Sequence, residues 1–421
     1  DSGFSNALIR KKNVKQIDYN TVFYFNLLLG VVLYLILFFC ASAISKFYKE
    51  PILLSVTRVM GLLLIINSFA IIQRTILVKN INFKTQTKIS LVSSILSGII
   101  GIGLALFQFG VWSLVGQQIS RQIINTILLW VFNVWRPLWE FSKQSFKDLF
   151  GFGSKLLLSG LIDTIYRNIY YLIIGRYYSA ELLGQYSNAE QFNSIFSSNL
   201  TSIVQRVSYP ALSSIQDEAN RLKLAFQRLI RSTMLIAFAF MMGLAAVAKP
   251  LILILIGVKW LPAVGYLQII CFAGMLYPLH AINLNILQVK GRSDLFLKLE
   301  IIKKIIAVVP IALGIFYGIN IMLWGSVFIS FVAYFFNNYY TSRLINYSVW
   351  LQIKDILPTF IVSLIVAAIM WGFTFLHYSV WIILPLQCIT GLLLFLIIYE
   401  SIKLPEYLEI KEICFSIIKK K

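Results

Sequence analysis

Three residues that carry full charge sit deep in apolar runs. Arg121 lies within "VWSLVGQQISRQIINTILLWVF", and Asp163 and Arg167 lie within "LLLSGLIDTIYRNIYYLIIG". Such a group costs about 2.5–3.5 kcal/mol at the centre of a membrane helix, so its position needs a reason. Asp163 and Arg167 are four residues apart, close enough on a helix to pair and offset part of that cost. Arg121 has no acidic residue in its own run. A guanidinium fork donates several hydrogen bonds in one plane and suits phosphate. Tyr166, Tyr170 and Tyr171 add flat faces and hydroxyls, the groups that meet sugars.

These residues belong to stripes with helical spacing. One stripe joins Ser159, Asp163, Tyr166, Arg167 and Tyr170. A second runs Gln191, Ser194, Ser198, Thr201, Ser202 and Gln205, and a third runs Gln117, Arg121 and Asn125. A fourth gathers His280, Asn283 and Gln288. Polar faces on otherwise apolar helices line a bundle interior or a hydrated cavity. The expected binding residues are therefore Gln117, Arg121, Asn125, Asp163, Tyr166, Arg167, Tyr170, Gln191, Gln205, His280 and Asn283. The alternative for Asp163 and Arg167 is a structural bridge between helices, off any transport path.

Other chemistries find little support. "GFGSK" at 151–155 fails the GxxxxGK[ST] pattern of a phosphate loop. The two histidines, His280 and His377, are far apart, and none of the four cysteines has CxxC spacing, so neither a metal nor a cofactor is expected. "SLVSSILSGIIGIG" places small residues four apart, as Ser90, Ser94 and Gly98 and again as Ser93, Ser97 and Gly101, a pattern that lets membrane helices approach closely.

The elements that must hold these stripes follow from composition. Of 421 residues, 59% are hydrophobic and 13% charged, and the mean hydropathy is +0.80. Soluble domains run near 25% charged. The chain therefore reads as all-α and polytopic. Spans of about 20 apolar residues are expected at 21–45, 53–73, 88–107, 111–133, 155–175, 188–208, 232–256, 263–287, 301–317, 321–342, 357–376 and 380–402. Lys and Arg test this map. Of 37, 29 fall in one alternate set of connections and 5 in the other, which places the first set in the cytoplasm. The net charge of +20 thus reflects membrane topology, and no nucleic-acid partner is expected. The outer connections are all short, leaving no room for an outer catalytic domain.

Between the spans, residues 135–154 read as a cytoplasmic amphipathic linker, a helix with Trp139, Phe146, Leu149 and Phe150 on one face and Lys143 and Lys147 off it; the alternative is a plain basic loop. "GFSNALIRKKN" before the 21–45 span parallels "SYPALSSIQDE" before the 232–256 span. Two spans precede the second segment, so two more are expected ahead of the first. Parallel six-helix halves are a transporter architecture.

"IGRYYSAELLGQYSNAEQF", "VSYPALSSIQDE" and "KPLILILIG" followed by "KWLPA" resemble the Wzx-type flippases of polysaccharide biosynthesis, in the MOP superfamily with the MATE exporters and the lipid II flippase. The resemblance covers essentially the whole chain. It implies two six-helix lobes around a central cavity plus two C-terminal helices: an N-lobe over 1–134, the 135–154 linker, a C-lobe over 155–345, and the added helices with a basic tail over 346–421. It also implies a multi-pass protein of the bacterial cytoplasmic membrane. Its partners would be membrane lipids, an undecaprenyl-pyrophosphate-linked oligosaccharide flipped to the outer leaflet by alternating access, and a polysaccharide polymerase complex. Ion coupling is expected in the superfamily. Cationic cavity residues are a family theme without fixed positions, so Arg121 and Arg167 match the theme only. The alternatives are a MATE-like exporter of cationic molecules, which would favour acidic cavity residues, a membrane enzyme, and a scaffold without transport.

Overall fold

A computed structural model describes residues 4–10, 14–80, 82–376, 378–402, 407–408 and 411, with the side chains of 6, 7, 10, 151–160, 162, 163, 166, 167, 209, 210 and 293 outside the description. Among the described residues the chain is all-α. Helix α1 is Phe4–Arg10, α2 Gln16–Tyr48, α3 Ile52–Lys79, α4 Phe83–Leu106 and α5 Val111–Phe132. They are followed by α6 Lys143–Tyr177, α7 Ala180–Ser213, α8 Ala219–Leu255, α9 Ala263–Gly274 and α10 Tyr277–Val289. The last are α11 Ser293–Ile306, α12 Val308–Tyr317, α13 Ile319–Ile345, α14 Val349–Gly372 and α15 Val380–Ile402.

Each of the twelve expected spans coincides with one helix or with a broken pair. Two spans read as single helices, 263–287 and 301–317, are interrupted, at Met275–Leu276 and at Ala307. Proline explains both breaks. Pro278 and Pro310 follow three residues after a break, and a proline lacks an N–H and clashes with the carbonyl one turn earlier. The short connections at "FQFGV" and "YGINI" close through residues of positive φ, Gln108 and Gly110 in the first and Gly318 in the second. Among the described residues, eight segments are long and apolar enough to cross a membrane by length and composition alone. Helices α5, α6 and α7 fall outside that set, and these three carry polar stripes.

The mid-chain linker differs from the amphipathic helix expected. Residues 133–142 are not helical, and the helix starting at Lys143 runs unbroken into the next span. Pro137 disfavours helix for the residue before it, and side chains from two neighbouring helices take up the free backbone groups. Leu138 N donates to Asn20 Oδ1 at 3.2 Å and Ser142 N to Thr21 Oγ1 at 3.1 Å. Gln16 Nε2 donates to the Arg136 carbonyl at 2.8 Å, and Gln73 Nε2 to that of Trp135 at 3.2 Å. Trp139 is exposed on this strap with its ring stacked on Tyr24. Phe146 and Leu149 instead turn inward with Phe4, Leu8 and Phe23.

Two compact units result, Asp1–Ile169 and Tyr170–Lys421, divided within α6. In the second, α8 is central. Its Phe226, Ile230, Met234, Phe238 and Met241 are buried in one core with α9, α10 and α14. Large apolar side chains such as Phe39, Ile99 and Leu392 face outward, as lipid contact requires.

Candidate functional site

In the first unit, α3, α4 and α5 enclose a polar pocket of about 410 Å³. Helix α3 contributes Asn67 and Arg74, and α4 contributes Ser90 and Ser93. Helix α5 supplies Gln118, Arg121, Gln122 and Asn125. The geometry comes from two different seams. Along α3 and α5 the seam is polar. Gln122 Nε2 donates to Asn67 Oδ1 at 3.1 Å, Trp130 Nε1 to the Phe69 carbonyl at 3.0 Å, and Asn133 Nδ2 to the Gln73 carbonyl at 3.1 Å. These donors recur every turn or two, so α5 is fixed in rotation as well as position. Along α4 and α5 the seam is small. Ser93, Ser97 and Gly101 are buried, and a Cβ on Gly101 would lie 2.9 Å from Gln117 Cβ.

The pocket presents two guanidinium groups and no carboxylate among its lining residues. Amide and hydroxyl groups surround them. In that setting an anion meets charge and fixed donors together.

The structure brings Arg121 and Asn125 of the expected site into this pocket. Gln117 instead packs its stem over Gly101. Asp163, Tyr166 and Arg167 lie on α6, but their side chains are outside the described residues. The other expected residues belong to the second unit. Tyr170 stacks on Tyr186, with ring centroids 6.4 Å apart. Gln191 and Gln205 are exposed on α7. His280 and Asn283 join a closed network between α10, α13 and α14. His280 Nε2 lies 3.0 Å from Ser330 Oγ. Gln352 Nε2 donates to Asn338 Oδ1 at 3.1 Å and faces Asn283 Oδ1 at 3.4 Å, and Asn338 Nδ2 donates to the Tyr334 hydroxyl at 3.1 Å. Asn283, Asn338 and Gln352 are fully buried there. Mutual satisfaction of this kind fixes helix register.

Arg74 was missed. Hydropathy ends the second span at residue 73 and leaves Arg74 among the loop cations. Helix α3 continues to Lys79, so Arg74 stays on it, seven residues and two turns from Asn67. That spacing was the available signal.

Residues 1–265 match the family described as polysaccharide biosynthesis protein. The chain belongs to that family. The resemblance read from "IGRYYSAELLGQYSNAEQF" is therefore borne out. Among its relatives is the teichuronic acid biosynthesis protein TuaB of Bacillus subtilis (strain 168), 30% identical over 298 residues. That match covers 70% of this chain and 62% of TuaB, less than two thirds of the relative's length. The lipopolysaccharide biosynthesis protein WzxC of Escherichia coli (strain K12) is 25% identical over 394 residues, covering 88% of this chain and 78% of WzxC. The fold of this chain is similar to that of the lipid II flippase MurJ in its inward closed conformation. The TM-score is 0.75 at 15% identity, over 96% of this chain and 89% of that one. The protein is thus a multi-pass membrane protein with a MurJ-like helical fold.

Proposed function

We propose that this protein is a flippase of the bacterial cytoplasmic membrane. It carries an undecaprenyl-pyrophosphate-linked oligosaccharide from the cytoplasmic to the outer leaflet by alternating access, for surface polysaccharide synthesis. The observation that carries this reading is the pocket of α3, α4 and α5, with Arg74 and Arg121 among amides and hydroxyls. Two arginines without a carboxylate suit a pyrophosphate and disfavour the cationic cargo of a MATE-like exporter. The amides beside them suit sugar hydroxyls. In the second unit, a separate hollow of about 670 Å³ is lined by apolar side chains of α7, α8, α14 and α15, among them Phe192, Leu255, Met370 and Phe395. It supports a cargo with a long hydrocarbon tail. Transport of this kind makes and breaks no covalent bond, so the protein acts as a carrier and not an enzyme. A polysaccharide polymerase that consumes the flipped product is its proposed partner complex. The test is reconstitution in liposomes with a fluorescent undecaprenyl-pyrophosphate oligosaccharide and a quencher confined outside. Protein-dependent exchange between leaflets, reduced in Arg74→Ala and Arg121→Ala, supports the proposal. Exchange equal to protein-free liposomes refutes it.

A further inference from the structure

Helix α7 carries a carboxylate inside its spanning run, Glu190, that the pocket above does not use. It is half-buried, and its Oε2 accepts a hydrogen bond from Asn193 Nδ2 at 3.1 Å. Asn193 is fully buried, and its own Oδ1 has no hydrogen-bond partner. That oxygen bears on Gly274, the last residue of α9. A Cβ built there would stand 2.2 Å from Asn193 Oδ1 and 2.8 Å from Met241 Cε of α8. Only glycine leaves room, and the helix breaks immediately afterwards, before α10.

Three of the helices packed around Glu190 carry ionisable groups near it: the Glu190 carboxylate bears on Tyr171 of α6, Tyr186 of α7 itself and Cys271 of α9. Tyr170 of α6 and Tyr277 of α10 stand behind Tyr186. All are neutral when protonated, and α8 presents apolar Met241. Among the described residues no ion pair reaches Glu190. A carboxylate removed from water without a cation is strongly disfavoured, whereas a neutral carboxyl is tolerated. Ionisable groups in membrane helices mark functional sites, proton relays among them.

We propose that Glu190 is a proton-binding site, coupled through Asn193 to the helix break at Gly274. With the proton on, Glu190 is a neutral carboxyl holding the Asn193 amide by an ordinary hydrogen bond. With the proton released to water, the carboxylate makes that bond charge-assisted and shorter. Asn193 then moves toward Glu190, and its oxygen eases off Gly274. The break between α9 and α10 is where such a displacement is absorbed, because its backbone ladder is already interrupted. The proposal concerns the second unit alone and does not depend on the cargo.

The test is infrared titration of the whole protein reconstituted in liposomes, with no cargo present. The wild type shows a carbonyl-stretch band of a protonated carboxyl that disappears as pH rises and is absent in Glu190→Gln. Asn193→Leu moves the midpoint of that band by about half a pH unit or more. Two results overturn the proposal. One is a titration between about pH 5 and 9 identical in wild type and Glu190→Gln. The other is a carboxyl-band midpoint that Asn193→Leu leaves at its wild-type position.

Discussion

Arg231 of α8 donates from Nη2 to Asp355 Oδ1 of α14 at 2.7 Å, and the Tyr347 hydroxyl closes on the other carboxylate oxygen at 2.5 Å. Arg231 lies in the first half of α8, Asp355 in the first half of α14, and Tyr347 in the connection just before α14. Asp355 is 17% exposed and Arg231 33% exposed at the side chain, so the pair is neither fully solvated nor fully dry. Removing one partner strands a partly buried charge. Arg231→Ala and Asp355→Ala are each expected to cost about 1–3 kcal/mol, seen as a lower melting temperature in detergent. The double variant is expected to lose less than the sum. A sum of single losses would mean the two residues do not interact.

Tyr347 adds a pH dependence to the same cluster. Burial first, then its hydrogen bond to the Asp355 carboxylate, hold its phenol well above the ordinary tyrosine value. A group raised on folding contributes stability that is complete below its unfolded value, about 10 for tyrosine, and is lost as pH climbs through the folded value. Wild-type melting temperature is therefore expected to fall more steeply above about pH 10 than that of Tyr347→Phe. Parallel curves would refute it.

The α4–α5 seam gives a contrast between two glycines three residues apart. A Cβ on Gly101 meets Gln117, whereas one on Gly98 meets nothing within 4 Å. Gly101→Leu is expected to destabilise by about 1–3 kcal/mol through overpacking, lowering the amount of protein in the membrane. Gly98→Leu should leave it unchanged. Equal amounts for both variants would place the seam elsewhere.

Within the polar pocket the number and shape of the donors matter. Arg121→Lys and Arg74→Lys keep charge and lose the fork. Each is expected to retain part of the exchange rate that the alanine variants lose, with protein amounts held at wild type. Full activity in the lysine variants would reduce the role of these residues to charge alone.

The topology is open to chemical labelling. Cysteine at position 139, on the exposed strap, should react only from the cytoplasmic side, and cysteine at position 181 only from outside. The background should lack native cysteines. Reaction of position 181 from the cytoplasm alone would reverse the map.

The amino-acid sequence by itself determined the membrane class, the positions of the spans and the family. Those properties are set locally, by runs of apolar residues and by the motifs within them. It also placed Arg121 and Asn125 on one helix face, because helical spacing is a property of one segment. What it left undecided depended on a second segment. Both small-residue stripes of α4 fit the pattern, and only packing on Gln117 selected Ser93, Ser97 and Gly101. Apolar spacing over 139–150 read as one helix, but Asn20, Thr21 and Gln16 hold residues 133–142 extended by bonds spanning more than a hundred residues. Arg74 looked like a loop cation until α3 was seen to continue past it and turn it toward Asn67 and Arg121. Spacing along a chain fixes which side chains share a face, and only the helix packed against that face decides whether they meet lipid, a neighbour or a cavity.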